Sequence, residues 1–348
     1  MIGSRAAATF WLGLCMTVAA GPSEARGKPI SPPPPPATPP ARAWHGFASN
    51  GAALPAESRL QLYGGNGSNL QALKDHWYYT AQTGNWTYVT PAGTQRPGPR
   101  QWMGWTCGQG SCVLVNGSNG VSLVSETWVF SEAAASWSAV NCRKGPCPSA
   151  RQMVTAAFDA SSNRHVLFGG LDPSQTSRND TWTFNAATMK WQSFGTQPGW
   201  PSARNRAAAA NVPGLGVVML GGQVDGNQVF CDAYVWQPNA WTSLSAGGAP
   251  CLHSHSMAWD ASSSRLIVTG GYVDTSDTPN ATMYYLQFKD GTLASSWARD
   301  DDTSGCYAAV RPGARMAIDA PTAAKVFFGG DDNAASGAVR YGDTTTCP

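Results

Sequence analysis

Charged side chains are scarce in this chain. Asp, Glu, Lys and Arg make up 13% of its 348 residues, and the formal net charge is +2. Soluble domains average about 25% charged residues. No basic cluster or stripe occurs along the sequence, which argues against a nucleic-acid-binding protein because such proteins carry a concentrated positive footprint.

Long apolar segments and helical periodicity are also missing. Beyond the first 25 residues no stretch is apolar enough to span a membrane. No long segment places apolar residues at helical spacing. The nine cysteines include no CxxC pair of the kind that binds zinc, although a metal site at the CxxxxC pairs is the rival interpretation of those pairs. We therefore expect no transmembrane segment, no metal and no cofactor.

The N-terminus has the composition of a secretory signal. Residues 1–25 contain Arg5, an apolar run over residues 6–20 and small residues suited to cleavage after Ala20 or Ala25. Lipidation at Cys15 is disfavoured because Leu14 stands where a small residue is needed. Residues 26–43 are a proline-rich spacer, which predicts an extended, semi-rigid segment. The predicted location is secreted or periplasmic.

Removing Cys15 with the signal leaves eight cysteines, an even number that favours disulfides in an exported chain. Eight cysteines allow 105 pairings, so the sequence does not fix the connectivity. Proximity favours four bonds: Cys107–Cys112, Cys142–Cys147, Cys231–Cys251 and Cys306–Cys347.

What the chain does contain is a repeat. An apolar run ending in Gly, mostly Gly-Gly, returns about every 50 residues and ends at Gly65, Gly117, Gly170, Gly222, Gly271 and Gly330. The runs are short and rich in β-branched or aromatic residues, and turn-forming clusters separate them. Each repeat thus holds about four strands, the content of one propeller blade. The alternative is a β-sandwich with chance Gly-Gly pairs.

Each repeat carries two further marks. An acidic residue stands two positions before an aromatic one, as in Asp75 and Trp77 or Asp180 and Trp182. A second Trp follows, at Trp86, Trp137, Trp191 and Trp241. The fifth copy is degenerate, and the sixth has Tyr341 with no Trp after it.

This pattern resembles the kelch repeat family, and the resemblance covers residues 44 to about 343. It implies an all-β, six-bladed β-propeller of kelch type over residues 44–348. Trp44 stands alone before the first repeat. We therefore expect an N-terminal strand around Trp44 to close the ring as the missing outer strand of blade six, beside the strand that holds Tyr341.

The resemblance places the loop before each inner strand near the mouth of the central channel. These loops carry a series of cations, namely Arg100, Arg151, Arg204, His253 and Arg315. In the last repeat Arg311 is the alternative to Arg315, and its distance from Gly-Gly matches the other repeats better. Two residues beyond them stand Trp102, Arg206 and His255. Such a ring of cations would attract anions, and Arg suits bidentate carboxylate contacts. The same arginines are equally suited to pack against a blade and bind its carbonyls.

His253 and His255 lie at i and i+2, so on a strand they would face the same side. One hypothesis is that the two rings share a metal ion or a proton-transfer role. The alternative is that they are a polar pair that lines the channel mouth. The set predicted to bind ligand is Arg100, Trp102, Arg151, Arg204, Arg206, His253, His255 and Arg315.

The leading functional hypothesis is a monomeric, secreted propeller that binds an acidic glycan, a glycoconjugate or an extracellular protein at the channel mouth. Nucleic acid is not expected as a partner. The alternative is an exported carbohydrate-active enzyme, a sialic-acid-type mutarotase or a polysaccharide lyase, with His255, Arg206 and Tyr272 as candidate catalytic residues. Whether the protein is an enzyme stays open at this point. A radical copper oxidase is disfavoured because the cysteines are expected to be paired.

Overall fold

A computed structural model describes residues 36–51, 58–300, 311–332 and 339–347. The described residues form an all-β propeller of six blades, each an antiparallel sheet. A single 3-10 turn, at Cys142–Lys144, is the only helical element in those ranges. None of them contains a helix with the length and apolarity of a membrane span.

Blades two and three are regular, with each strand pairing to the next along the chain, and blade one follows the same order from β2 onward with β1 paired to the end of β3. Blade one contains β1 (Arg42–Ala43), β2 (Gly46–Ser49), β3 (Leu60–Gly67), β4 (Ala72–Thr80) and β5 (Asn85–Tyr88). Blade two contains β6 (Gly104–Gly108), β7 (Ser111–Val115), β8 (Thr127–Ser131) and β9 (Ser136–Ala139). Blade three contains β10 (Thr155–Asp159), β11 (Arg164–Phe168), β12 (Thr181–Asn185) and β13 (Lys190–Gly195).

The last three blades vary more. Blade four contains β14 (Ala208–Val212), β15 (Gly216–Leu220), a small hairpin of β16 (Gln223–Val224) and β17 (Gln228–Val229), then β18 (Ala233–Gln237) and β19 (Ala240–Ser243). Blade five contains β20 (Ser256–Asp260), β21 (Arg265–Thr269), β22 (Met283–Lys289), β23 (Thr292–Leu293) and β24 (Ala298–Asp300). Blade six has three strands within the described residues, β25 (Arg315–Ile318), β26 (Lys325–Phe328) and β27 (Thr344–Cys347).

The expected pairing of the N-terminal strand is wrong. β2 is the innermost strand of blade one and pairs with β3, and β1 pairs with the end of the same strand. The N-terminal segment reaches blade six through three backbone hydrogen bonds, from Arg42 N to Tyr341 O (2.9 Å), from Gly330 N to Arg42 O (2.9 Å) and from Trp44 N to Gly313 O (3.1 Å). Arg42 and Ala43, assigned to the spacer by sequence, therefore already belong to a blade. Tyr341 precedes β27 and is not part of it.

The apolar core lies between neighbouring blades, and the repeat marks explain it. Trp191 and Trp241 on outer strands each donate an indole N–H to the Thr that follows the acidic residue of the preceding blade, Thr127 (3.0 Å) and Thr181 (2.9 Å). Trp86 of blade one donates in the same way to Thr344 of blade six (2.8 Å). Blade one also packs its apolar face against the inner strands of blade six. Blades six and one are thus joined by apolar packing and by side-chain and backbone hydrogen bonds.

Three of the predicted disulfides are present, Cys107–Cys112, Cys142–Cys147 and Cys231–Cys251. The partner proposed for Cys347, Cys306, lies outside the described residues, as does the predicted signal segment. Three disulfides favour an extracellular or otherwise oxidising environment.

Candidate functional site

One residue in the loop before each inner strand adopts the left-handed backbone region. The six are Trp44, Trp102, Met153, Arg206, Ser254 and Gly313, with φ between 52° and 68°. Five of the six loops are tied to the preceding loop by a backbone hydrogen bond with an N–O distance of 2.7–3.2 Å. The bonds are Trp44 N to Gly313 O, Trp102 N to Trp44 O, Met153 N to Trp102 O, Arg206 N to Met153 O and Ser254 N to Arg206 O. We call this circle of loop residues the upper ring. Left-handed non-glycine residues cost free energy, and here the circle of hydrogen bonds holds five of them in place.

The sixth link of the upper ring is made by a side chain. In the described residues no backbone hydrogen bond joins Gly313 N to Ser254 O. The Ser254 carbonyl instead accepts from Nη1 of Arg315 at 3.3 Å, and the same Nη1 donates to Ala314 O at 3.2 Å. Arg315 thereby completes the circle between blades five and six.

Two cavities meet below the upper ring. The upper chamber, of about 250 Å³, is lined by the five non-glycine residues of the upper ring together with Tyr272, Asp277, Asp331 and Arg340 from the loops that follow Gly-Gly. The lower chamber, of about 640 Å³, runs between the inner strands toward the opposite face, and its wall is rich in alanine. Both chambers are lined by Met103, Val154, Ala207, His255 and Arg315. These five residues form the throat between the chambers.

Arg315 is the unusual residue of the throat. It is the first residue of β25, and the first residues of the other inner strands are all small, namely Gly46, Gly104, Thr155, Ala208 and Ser256. Its guanidinium carbon lies 6.0 Å from the centre of the Trp44 ring. No carboxylate of the described residues lies within 4.0 Å of it. Burial lowers the pKa of Arg315 to about 10, which leaves it charged at neutral pH.

The other two cations of the upper chamber are paired. Arg206 Nη1 lies 3.6 Å from Asp277 Oδ1, and its Nε contacts the sulfur of Met153 at 3.2 Å. Arg340 Nη1 lies 3.0 Å from Asp331 Oδ2. These two ion pairs in the chamber wall provide donors and acceptors with no net charge.

Aromatic side chains complete the wall. Trp44 and Tyr272 are stacked with ring centres 6.4 Å apart, and Tyr272 lies 5.2 Å from the His253 ring. Trp102 lines the chamber beside Trp44. The pKa of Tyr272 is raised by burial and by the nearby carboxylates Asp331 and Asp277, so its hydroxyl stays protonated.

A different set of arginines lies behind this wall. Each is buried and pairs with the acidic residue of its own blade: Arg42 with Asp75 (2.5 Å), Arg100 with Glu126 (2.7 Å), Arg151 with Asp180 (2.6 Å), Arg204 with Asp232 (2.5 Å) and the part-buried Arg311 with Asp343 (2.6 Å). Arg151 and Arg204 also donate to the carbonyl of the first glycine in Gly-Gly. The acidic repeat residue and the loop arginine are therefore one structural unit.

A model of the KLHDC2/KLHL20/DRC7 Kelch-repeats domain matches residues 28–222. The match spans more than half of the chain. The chain belongs to the kelch-repeat family. A comparison with curated proteins gives no match. The kelch propeller fold points to a binding or scaffold role.

Three arginines of the predicted cation ring do not lie at the channel mouth. Arg100, Arg151 and Arg204 are at most 1% exposed and line neither chamber. Burial alone would raise the pKa of Asp180, but the hydrogen bonds and charge of Arg151 hold it below its usual value. Three arginines thus stabilise their blades, and the predicted ring at the mouth reduces to Arg206 and Arg315.

Blade five breaks the series. Leu252 occupies the position of the loop arginine, and His253 pairs with Tyr272 as Gln152 pairs with Leu171 in blade three. Thr282 stands at the position of the acidic residue, and Asn280, two residues earlier, donates to Gly270 O at 3.1 Å, the bond that the loop arginine makes in blades three and four. Matching the repeats by their charged residues puts His253 at the position of the loop arginine, whereas in the structure His253 lies one residue after that position.

The two histidines do not act together. His253 bonds Asp274 O at 2.9 Å and lines neither chamber, whereas His255 lies in the throat with neither ring nitrogen hydrogen-bonded. Burial, with the charge of Arg315, lowers the pKa of His255 to about 3. A base this weak removes protons poorly at neutral pH. Within the described ranges no group of three or more His, Cys, Asp or Glu is placed to hold a metal.

Of the predicted site residues, the upper chamber brings together Trp102, Arg206, His255, Tyr272 and Arg315. Sequence reasoning missed Trp44 as a wall residue, because it was assigned to an outer strand. It also missed Asp277 and Arg340. The sequence feature that could have identified these two residues is their position, since both lie in loops that follow Gly-Gly on the same face as the upper ring.

Proposed function

We propose that this protein is an exported kelch propeller that binds an acidic carbohydrate in the upper chamber. The observation that carries the proposal is the combination of aromatic walls, Trp44, Trp102 and Tyr272, with the unpaired Arg315 at the floor. Small-ligand sites in proteins typically join apolar and aromatic walls with a few placed polar groups.

The chemistry of a sugar acid fits this wall. The C–H face of a pyranose ring is apolar and covers an aromatic ring, which removes apolar surface from water. The hydroxyl groups need both donors and acceptors, and the pairs Arg206–Asp277 and Arg340–Asp331 offer both. A carboxylate forms its strongest hydrogen bonds with a guanidinium group, and Arg315 supplies one.

The volume limits what enters. A chamber of about 250 Å³ corresponds to about eight water molecules at their volume in the liquid. One sugar ring with its substituents fits, and a longer glycan would extend outward over the upper face. The ligand is therefore the end or a side branch of an acidic glycan, bound outside the cytosol by a disulfide-containing monomer.

An extracellular protein is the second candidate partner, and a surface feature favours it. Four aliphatic side chains are exposed in loops of the upper face around the chamber, Leu70 (63%), Val121 (95%), Val273 (38%) and Val339 (53%). Exposed apolar groups gathered on one face mark interaction surfaces. A glycoconjugate would use both features, with its sugar in the chamber and its protein part over these loops.

A glycan array with fluorescently labelled protein tests the proposal. We expect binding to glycans with a terminal or branching acidic sugar, and loss of that binding in Trp102→Ala. Trp259→Ala is the matched control, because Trp259 is a half-buried Trp that lines only the lower chamber. The proposal fails if no acidic glycan binds, or if the two Trp variants lose binding equally while both remain folded.

A further inference from the structure

The charges that line the upper chamber do not cancel. Three arginines face two carboxylates, and His255 is neutral at physiological pH. Among the described residues, Arg206 and Arg340 each lie within 4.0 Å of a carboxylate, and Arg315 does not. The described lining of the chamber therefore carries one uncompensated positive charge, located on Arg315.

The contacts of Arg315 leave one edge of its guanidinium available. Nη1 is held by the carbonyls of Ser254 and Ala314. Nε and Nη2 have no hydrogen-bond partner among the described residues, and neither atom is shielded from solvent. Both are thus in contact with the cavity, and together they match the two oxygens of a carboxylate.

We propose that Arg315 makes the upper chamber selective for a sugar with a single negative charge, a monocarboxylate such as a uronate, over neutral sugars and dianions. The inference rests on the proposed function, since it assumes that a sugar occupies this chamber. One carboxylate on the Nε–Nη2 edge cancels the excess charge. A second negative charge would find only paired arginines and the oxygens of Asp277 and Asp331, and repulsion of that kind excludes competing ligands.

The position of the charge strengthens the discrimination. Arg315 is at the throat, and its positive charge is already disfavoured by burial. Buried charges are screened little by salt, so an ion that neutralises Arg315 gains more there than on the surface. A neutral sugar leaves the charge uncompensated.

Isothermal titration calorimetry on the full chain decides the question, with sodium glucuronate, glucose and glucose 6-phosphate as probes at neutral pH. We expect wild-type protein to bind glucuronate at least about tenfold more tightly than either of the others, the lower bound for one hydrogen-bonded charge. Arg315→Gln should bind glucuronate and glucose with similar affinity. Arg315→Lys should keep the preference for glucuronate at a lower ratio.

Arg299→Gln is the matched control, because it removes the same charge from an exposed position on β24 and should bind like wild type. The inference is overturned if glucose or glucose 6-phosphate binds wild type as tightly as glucuronate, an outcome that leaves sugar binding itself standing. If none of the three sugars binds, the proposed function fails and this inference with it. Should Arg315→Gln not fold, the comparison of the three probes on wild type still decides.

Discussion

The ion pair Arg151–Asp180 can be replaced by a neutral pair, because blade five has no ion pair at the same two positions. Arg151 is 1% exposed, and it donates to both oxygens of Asp180 (2.6 and 3.0 Å) and to Gly169 O (3.1 Å). In blade five the uncharged Leu252 and Thr282 stand at these two positions, and Asn280, two residues before Thr282, bonds the corresponding glycine carbonyl. We therefore predict that Arg151→Leu alone is severely destabilising and that adding Asp180→Asn restores most of the loss.

The magnitudes follow from burial. Removing one partner of a buried ion pair costs about 3–5 kcal/mol, because the other charge is left without compensation, whereas replacing both partners is often nearly neutral. We expect about 3–5 kcal/mol for Arg151→Leu and about 1 kcal/mol for the double variant. Guanidinium denaturation followed by Trp fluorescence measures both.

The pH dependence has a definite sign. In wild type the folded pKa of Asp180 lies below its usual value, so its contribution to stability is present at neutral pH and is lost as the pH falls through the folded pKa. Without Arg151 burial is the largest influence left on Asp180, and it raises that pKa against the smaller opposing effect of the hydrogen bond from Trp182. The charged carboxylate then costs stability at neutral pH, and this cost disappears on acidification. The gap between wild type and Arg151→Leu should therefore shrink from pH 7 to pH 4.

Either of two results would refute this reasoning. A double variant as unstable as Arg151→Leu would mean that blade three does not accept the Leu–Asn pair. A loss of stability in Arg151→Leu that is independent of pH would mean that the uncompensated charge of Asp180 is not the source of the loss.

Three further predictions concern the blades. Trp191→Ala should lower the free energy of unfolding by about 3–5 kcal/mol in denaturant titration, since it empties a core site between blades two and three; a near-neutral result would mean that this Trp is not blade core. Deleting residues 28–38 should leave the melting temperature unchanged, because it keeps Pro39, which is buried, and Pro40, whose carbonyl accepts from Arg42. Deleting residues 28–50 removes β1 and β2 and should unfold blade one; equal melting of the two would contradict the observed strand order. His165 is buried, and burial lowers its pKa to about 3. Between pH 6 and 4 only the unfolded state therefore takes up a proton at this residue, and the free energy of unfolding of wild type should fall by about 1.4 kcal/mol per pH unit on its account. His165→Phe should reduce that slope, and an unchanged slope would show that His165 takes up its proton in the folded state.

The sequence predicted the repeat units well because the physical causes of the fold recur in every blade. The Gly-Gly positions need left-handed backbone, and the spaced Trp needs a Thr in the preceding blade, so both leave periodic marks. The disulfides Cys107–Cys112 and Cys142–Cys147 were equally accessible to prediction, since each closes a short loop.

The site was harder to predict because it depends on departures from the repeat. Arg151 and Arg315 look alike in sequence, yet one pairs with an acidic repeat residue and the other occupies a position where other blades have small residues. The distinction required the register of the loop, which Arg311 already indicated by its distance from Gly-Gly. Asp277 and Arg340 lie in loops of unequal length, where no periodicity fixes their position.

The upper ring divides the loops of this face into two classes with different freedom to change. Residues such as Trp102 and Arg206 are bound through their own backbone to the loops on either side, so an insertion there would break a circle that spans all six blades. The loops that carry Tyr272, Asp277 and Arg340 contribute no link to that circle. New ligand specificity can therefore be introduced by exchanging the loops after Gly-Gly, blade by blade, while the loops of the upper ring keep the channel closed.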